Sequence, residues 1–247
     1  MNKPLVSCLC ATYAKYPNYG KTVGEAVESF LRQDYESKEL IILNDCPQQE
    51  LYTSAPVRLI NLPERCPSMG DKFNLMAEIA DGELLMSWDD DDLALPHRIS
   101  QGVERIGDSH YWNPQRSWYR DANGLYYNHY HGYCHNAGIF RKDALKQAGG
   151  YESRTECYDG VMDGRLKKLG PLPPSLTDDP SDWSYIYQWC GQSNFHVSAY
   201  PDMDKAYQDY GTKSHVEGRF EVISAWQHDY VEMCRVKAAE WKSGHGK

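Results

Sequence analysis

Residues 4–12 read PLVSCLCAT, a nearly unbroken run of apolar and β-forming side chains. Such a run, closed by the turn-forming stretch at 16–20, predicts a buried strand leaving a sheet. Over residues 22–33 the pattern changes: Val23, Ala26, Val27, Phe30 and Leu31 recur at helical spacing behind Thr22, a capping residue type. Residues 39–43 (ELIIL) return to a continuous apolar run, which ends at Asn44 and Asp45. Strand, helix and strand in this order predict a βαβ unit, with a right-handed crossover and a parallel strand pair.

The alternation continues with a strand at 57–61, a helix at 68–80 and a strand at 83–88 that runs straight into Asp89, Asp90, Asp91 and Asp92. A helix is expected over 96–106, and the Tyr/Trp/His-rich segment 110–135 alternates as strands or a hairpin would. Residues 136–150 predict a strand, a short helix and a glycine stop; 157–169 predict another helix, ended by Gly170 and Pro171. A Pro/Ser/Asp-rich loop at 171–182 and a C-terminal helix over 220–241 complete the pattern. The fold class that follows is α/β and Rossmann-like, a central mixed but mostly parallel sheet flanked by helices. In such sheets ligands bind beyond the carboxyl ends of the strands, where Thr12, the Asn44-Asp45 pair and the four aspartates all fall.

Composition narrows the function without naming it. The chain has 247 residues, 41% apolar and 25% charged, enough for a sizeable core without disulfide or metal staples. A formal net charge of −9 argues against broad electrostatic binding to nucleic acid or anionic membrane. The eight cysteines form no CxxC pair and no zinc spacing, as expected of free thiols in a reducing cytoplasm. No apolar stretch approaches the roughly 20 residues of a membrane span, and the first residues lack an apolar signal core, so a cytoplasmic protein is expected.

Four consecutive carboxylates raise one another's pKa unless a cation or hydrogen-bond donors compensate. Mn²⁺ or Mg²⁺, completed by phosphate oxygens and water, is one compensation; the competing reading is a solvated acidic turn. Position after an apolar strand favours the metal. His129, His131 and His135 share one face if the segment is a strand, which would suit a metal, a substrate-facing wall or plain hairpin surface. Trp112, Trp118, Trp183 and Trp189 fit sugar or base stacking and core packing alike.

The ordered set PLVSCLCATY, SFLRQDY, ELIILNDC, the G-x-K-x-N segment at 70–74, SWDDDDLALPHRI, NAGIFRKDAL and CYDGVMDGRLKKLG resembles the family-two glycosyltransferases of the GT-A fold, over about residues 4–170. The resemblance implies a GT-A core at 1–170, with nucleotide-sugar and metal binding in 1–100 and the acceptor side and catalytic helix in 101–170. Residues 171–247 would form a loop and helix extension packed on that core. It also implies that Ala11, Thr12 and Tyr13 line the nucleotide site. Asn44 and Asp45 stand where the family usually has two acidic residues near base or ribose, the first replaced here by Asn. Lys72 falls near the nucleotide. In the family's D-x-D pattern Asp89 would face the ribose, Asp90 would join the nucleotide-sugar contacts, Asp91 would ligate the metal and Asp92 would support it. Counting back six positions from the Arg165-Leu166 pair gives Asp159 as the catalytic base, with Asp163 as its fallback; Tyr158 replaces the usual acidic residue before the base. His196 stands where several GT-A enzymes return a histidine to the metal.

The implied activity is inverting transfer from a nucleoside-diphosphate sugar, a UDP-sugar first, to an acceptor hydroxyl. The acceptor is open among saccharide, small molecule, protein, lipid-linked intermediate and modified nucleic acid. Two other readings compete with it. A sugar-phosphate nucleotidyltransferase would carry a Gly-rich basic loop after the first strand, which residues 11–20 lack. A catalytically inactive GT-A module binding nucleotide or glycan would fit Asn44 and Tyr158 but not four intact aspartates.

Overall fold

The structure is a computed structural model that describes residues 3–13, 20–128, 135–189 and 217–245. Its first half contains β1 (Val6–Thr12), α1 (Gly20–Leu31), β2 (Lys38–Asn44), β3 (Gln49–Tyr52), β4 (Arg58–Asn61), α2 (Met69–Ile79), β5 (Leu84–Ser87), β6 (Leu93–Ala94) and α3 (Arg98–Ile106). The second half adds β7 (Tyr111–Trp112), β8 (Trp118–Asp121), β9 (Gly124–Tyr127), β10 (Ile139–Arg141), α4 (Lys142–Gln147), α5 (Tyr158–Lys167), β11 (Tyr185–Trp189), β12 (Gly218–Glu221) and α6 (Tyr230–His245).

The central sheet has the order β4-β2-β1-β5-β10-β7. β1 runs parallel to β2 and β5, β2 parallel to β4, and β10 is antiparallel to both its neighbours. This is the mixed, mostly parallel α/β sheet that the apolar pattern predicts. Its inner strands are apolar on both sides because both faces are covered. Val6, Cys8, Cys10, Leu40, Ile42, Leu84 and Met86 enter one core with Val23, Val27 and Phe30 of α1 and Ile99 of α3. Leu9, Ala11, Ile41, Leu43 and Leu85 enter the other, with Phe73 and Met76 of α2 and Met162 and Leu166 of α5. The chain winds outward from β1 through β2 to β4, then crosses back through α2 to β5 on the other side of β1, so the switch point lies between β1 and β5.

Two glycines are set by local geometry. A Cβ at Gly70 would lie 1.8 Å from the Glu152 carbonyl oxygen, so only glycine lets the segment before α5 lie across the first turn of α2. Gly150 takes a left-handed φ of 73° and donates its N–H to the Leu145 carbonyl, which stops α4 as the sequence predicts.

A second sheet, ordered β6-β11-β8-β9, stands beside the acidic turn, and β12 pairs in parallel with β3. The continuous helix expected over 220–241 is corrected here. Residues 218–221 are strand β12, and helix begins only at Tyr230. The reason is the buried Glu25 of α1, whose carboxylate accepts from the Gln227 N–H, the Gln227 side-chain amide and the Tyr230 hydroxyl. These bonds hold the intervening chain extended over α1, where Ala225 N–H also reaches the Gly24 carbonyl.

Candidate active site

The carboxyl ends of β1 and β2 lie level, with Thr12 beside Asn44 and Asn44 beside Asn61 of β4. The Asn44 amide donates to the Gln49 carbonyl and to Asn61 Oδ1 and accepts from the Cys46 N–H. An aspartate would have no donors for two of those bonds, which accounts for the amide at this position. The buried Asn44 side chain thus shapes the rim and fixes β3. Lys72, reaching across from α2, donates to the Thr12 carbonyl and to Asp45 Oδ1, each at 2.6 Å. Asp45 Oδ2 accepts from the Cys66 N–H at 3.0 Å. Burial lowers the Lys72 pKa, opposed by the charges of Asp45 and, more weakly, Asp90. At 1% exposure, Lys72 clamps the two strand ends together. Thr12 Oγ1 is buried with no hydrogen-bond partner among the described residues. Tyr13 follows it, its ring covered by the Arg65 guanidinium at 4.1 Å. Asp45, Arg65, Cys66, Ser68 and Thr155 line a cavity of about 160 Å³ at this rim.

The four aspartates form a turn after β5, with Asp90, Asp91 and Asp92 buried and Asp89 half-buried. β11 supplies much of their compensation. Gln188 N–H donates to Asp92 Oδ1 at 2.6 Å, the Gln188 side-chain amide donates to the Asp91 carbonyl, and the Tyr185 hydroxyl bonds to both Asp92 and Asp89. Burial, with the charges of Asp91 and Asp89, still pushes the Asp92 carboxyl well above the usual range. A resident cation sits behind the turn: Arg98 of α3, buried between the rings of Trp88 and Tyr185, 4.7 Å from each. Its guanidinium bonds to the carbonyls of Ser87 and Asn136. Tyr185, Gln188 and Arg98 were not among the sequence-predicted site residues. YIYQW carries a strand composition that could have flagged the first two.

Asp159 stands half-buried in the first turn of α5, its Oδ1 accepting from the Gly160 N–H at 2.8 Å. Tyr158 before it stacks on Phe73 of α2, with ring centroids 5.2 Å apart, and Tyr151 packs against the same ring. Burial raises the pKa of both phenols, and the charges of Asp89 and Asp159 add to the rise on both. Asp163, one turn along, is differently placed. It is buried, accepts from the Tyr111 hydroxyl at 2.6 Å and the Asn113 amide at 3.0 Å, and pairs with Lys167. His135 is buried against Phe140, bonds to the Tyr151 hydroxyl and has its pKa lowered by burial. His129, His131 and His196 lie outside the described residues.

Among the described residues no three His, Cys, Asp or Glu side chains form a metal-holding group. The donor set at the turn fits a hard divalent ion held by one or two carboxylates and completed by a ligand's phosphates and water, the usual mode for Mg²⁺. A larger apolar cavity of about 340 Å³, lined by Leu95, His97, Trp183 and side chains of α6, contains none of these residues.

The architecture recurs in known proteins. The chain is 31% identical over 134 residues to the uncharacterized glycosyltransferase MJ1057 of Methanocaldococcus jannaschii, a match covering 50% of this chain and 45% of that protein. Among solved structures it resembles S. aureus TarS 1–349 in complex with UDP-GlcNAc, with a TM-score of 0.56 at 16% identity over 83% of this chain and 64% of that one. It also resembles the mannosyltransferase PcManGT from Pyrobaculum calidifontis in complex with GDP-Man and Mn²⁺, with a TM-score of 0.50 at 13% identity over 76% of this chain and 57% of that one. These structural likenesses establish the fold as GT-A. The chain spans less than half the length of the curated relative and under two thirds of these two structures. The model of glycosyl transferase family 2 matches residues 11–160, from the end of β1 through the acidic turn to the start of α5, and the chain belongs to that family.

Proposed function

We propose that the chain is an inverting, metal-dependent glycosyltransferase that moves a sugar from a nucleoside-diphosphate sugar, a UDP-sugar first, to an acceptor hydroxyl. The observation that carries the reading is the meeting of two separate acidic groups. Besides burial, the charges of Asp89, after β5, and Asp159, at the start of α5, both raise the pKa of Tyr151 and Tyr158, two phenols that pack on the same Phe73 ring of α2. A carboxylate on the donor side and a base on the acceptor side, acting on the same groups, are what single displacement needs. The relatives agree in kind: TarS is seen with UDP-GlcNAc, PcManGT with GDP-Man and Mn²⁺.

In this mechanism the nucleotide lies over the ends of β1 and β2, against Ala11, Thr12, Tyr13 and Asp45, on the rim that Lys72 and Asn44 hold. Asp89 and Asp90 orient the ribose and sugar, and Asp91 faces the diphosphate. Asp91 would hold Mn²⁺ or Mg²⁺, which would supply Lewis-acid stabilisation of the leaving diphosphate. Asp159 takes the proton of the acceptor hydroxyl as that oxygen bonds to the anomeric carbon and the carbon–phosphate oxygen bond breaks. Asp163, committed to Tyr111, Asn113 and Lys167, positions α5. Among the described residues no helix is long and apolar enough to cross a membrane, and six free cysteines suit the cytoplasm where we place the reaction.

Donor hydrolysis tests the chemistry without knowledge of the acceptor. With UDP-glucose, UDP-GlcNAc and GDP-mannose in Mn²⁺, the enzyme should release nucleoside diphosphate slowly. NMR should show the sugar first appearing with the anomeric configuration opposite to the donor's. Release of the retained anomer, or undiminished release by Asp159→Asn, would overturn the proposal.

A further inference from the structure

Three tyrosines of the second sheet are in direct register. Tyr187 of β11 pairs with Tyr119 of β8, and Tyr119 pairs with Tyr126 of β9. Directly opposed residues project to the same side, so the three rings form one row across three strands. Ring centroids are 6.1 Å apart for Tyr187 and Tyr119, which stack at 29°, and 6.3 Å apart for Tyr119 and Tyr126. The opposite face is core: Trp118, Leu125 and Ile186 are buried there with residues of α6.

The row starts at the reaction centre and ends in solvent. Two residues before Tyr187, on the same face, Tyr185 hydrogen-bonds Asp89 and Asp92. The charges of Asp92, Asp91 and Asp89 also act on the Tyr187 phenol, whose pKa burial already raises. Tyr187 and Tyr119 are half-buried, and Tyr126 at the far end is 41% exposed. The outer strand is fixed by a tight turn in which Asp121 Oδ1 accepts from the N–H groups of Asn123 and Gly124.

We infer that this tyrosine row, Tyr187-Tyr119-Tyr126, is the platform on which a neutral saccharide acceptor lies with its hydroxyl toward the acidic turn. The inference rests on the transferase reading and adds the substrate class. The outward flank of such a row offers apolar surface for sugar C–H groups, and the phenols at its ends, Tyr126 and Tyr187, can bond sugar hydroxyls. Carboxylates gathered at the inner end, on a chain of net charge −9, disfavour an anionic chain such as nucleic acid or an acidic polysaccharide. The row extends over two ring-to-ring steps, so it suits an oligosaccharide better than a single sugar.

A glycan array carrying neutral and anionic oligosaccharides, probed with wild type, Tyr126→Ala and Tyr119→Leu, tests this. The first variant truncates an exposed side chain, and the second keeps apolar volume while removing the ring. Melting temperatures check folding, and titration of UDP with Mn²⁺ reads the donor site separately. Wild type should bind neutral glycans, and each variant should bind them about tenfold more weakly, the upper range for loss of one aromatic stack. Absence of neutral-glycan binding by wild type, preference for anionic glycans, or variants binding as wild type does would overturn the platform. So would a self-associating wild type that becomes monomeric in Tyr126→Ala without any glycan binding, which would make a second copy the occupant. Neutral-glycan binding that needs the tyrosines while wild type binds no nucleotide would uphold the platform and sink the transferase reading.

Discussion

Replacing Lys72 by Met should unfold the nucleotide rim before it affects any chemistry. The ammonium is 1% exposed and holds two acceptors at 2.6 Å, the Thr12 carbonyl and Asp45 Oδ1. Burial lowers its pKa in spite of Asp45, so the charged pair is worth little in net terms. Breaking it is a different matter, because Asp45 stays buried with its charge uncompensated, which typically costs about 3–5 kcal/mol. For a chain of this size that corresponds to a fall in Tm of roughly 6–20 °C. Urea denaturation of wild type, Lys72→Met, Asp45→Leu and the double variant measures it. The double variant should recover a substantial part of the loss, because it removes the stranded charge and leaves the Thr12 carbonyl and the Cys66 N–H, both uncharged, without their partners. A loss below about 1 kcal/mol in Lys72→Met, or strictly additive single losses, would refute this reasoning.

Asp163→Asn should lower stability by about 1–3 kcal/mol through its bonds to Tyr111, Asn113 and Lys167, while Asp159→Asn should lower turnover about 10²–10⁴-fold at nearly unchanged stability. Denaturation and donor-hydrolysis rates on the same samples separate the two. Gly70→Ala should destabilise by at least about 1–3 kcal/mol, because the new methyl meets the Glu152 carbonyl and displaces the chain leading to Asp159; thermal unfolding checks it. Burial lowers the pKa of His135 and His97, so the unfolded chain binds protons that the folded chain refuses. Stability should therefore fall as pH drops through the ordinary imidazole value of about 6.5, by at most about 1.4 kcal/mol per pH unit for each histidine. His135→Gln should remove its share of that slope in a pH series of urea midpoints.

The elements of the first hundred residues were legible because the inner strands of the central sheet are covered on both faces and its helices on one. Their apolar runs and stripes therefore survive in the sequence, as in β1, β2, α2 and β5. The strands β3, β6 and β11 were not legible as placed elements: β6 is two residues inside an acidic turn, and β3 is fixed by Asn44 and Asn61 from neighbouring strands. The end of the chain misled for a related reason, since one buried carboxylate on α1, Glu25, overrides helical periodicity 200 residues later. At the site, the need for compensation of Asp89 to Asp92 could be read from charge alone. Much of what supplies it, Tyr185 and Gln188 from β11 and Arg98 from α3, comes from tertiary contact. Likewise the difference between Asp159 and Asp163 depends on Tyr111 and Asn113, fifty positions away, which no helical spacing reveals.

The most direct test is calorimetric titration of UDP, GDP, CDP and dTDP into wild type and Asp91→Ala, with Mn²⁺ present or chelated. Metal-dependent binding of one diphosphate, UDP first, that disappears in Asp91→Ala is the predicted result. Absence of nucleotide binding in every condition, or binding indifferent to both chelation and Asp91→Ala, would contradict the account.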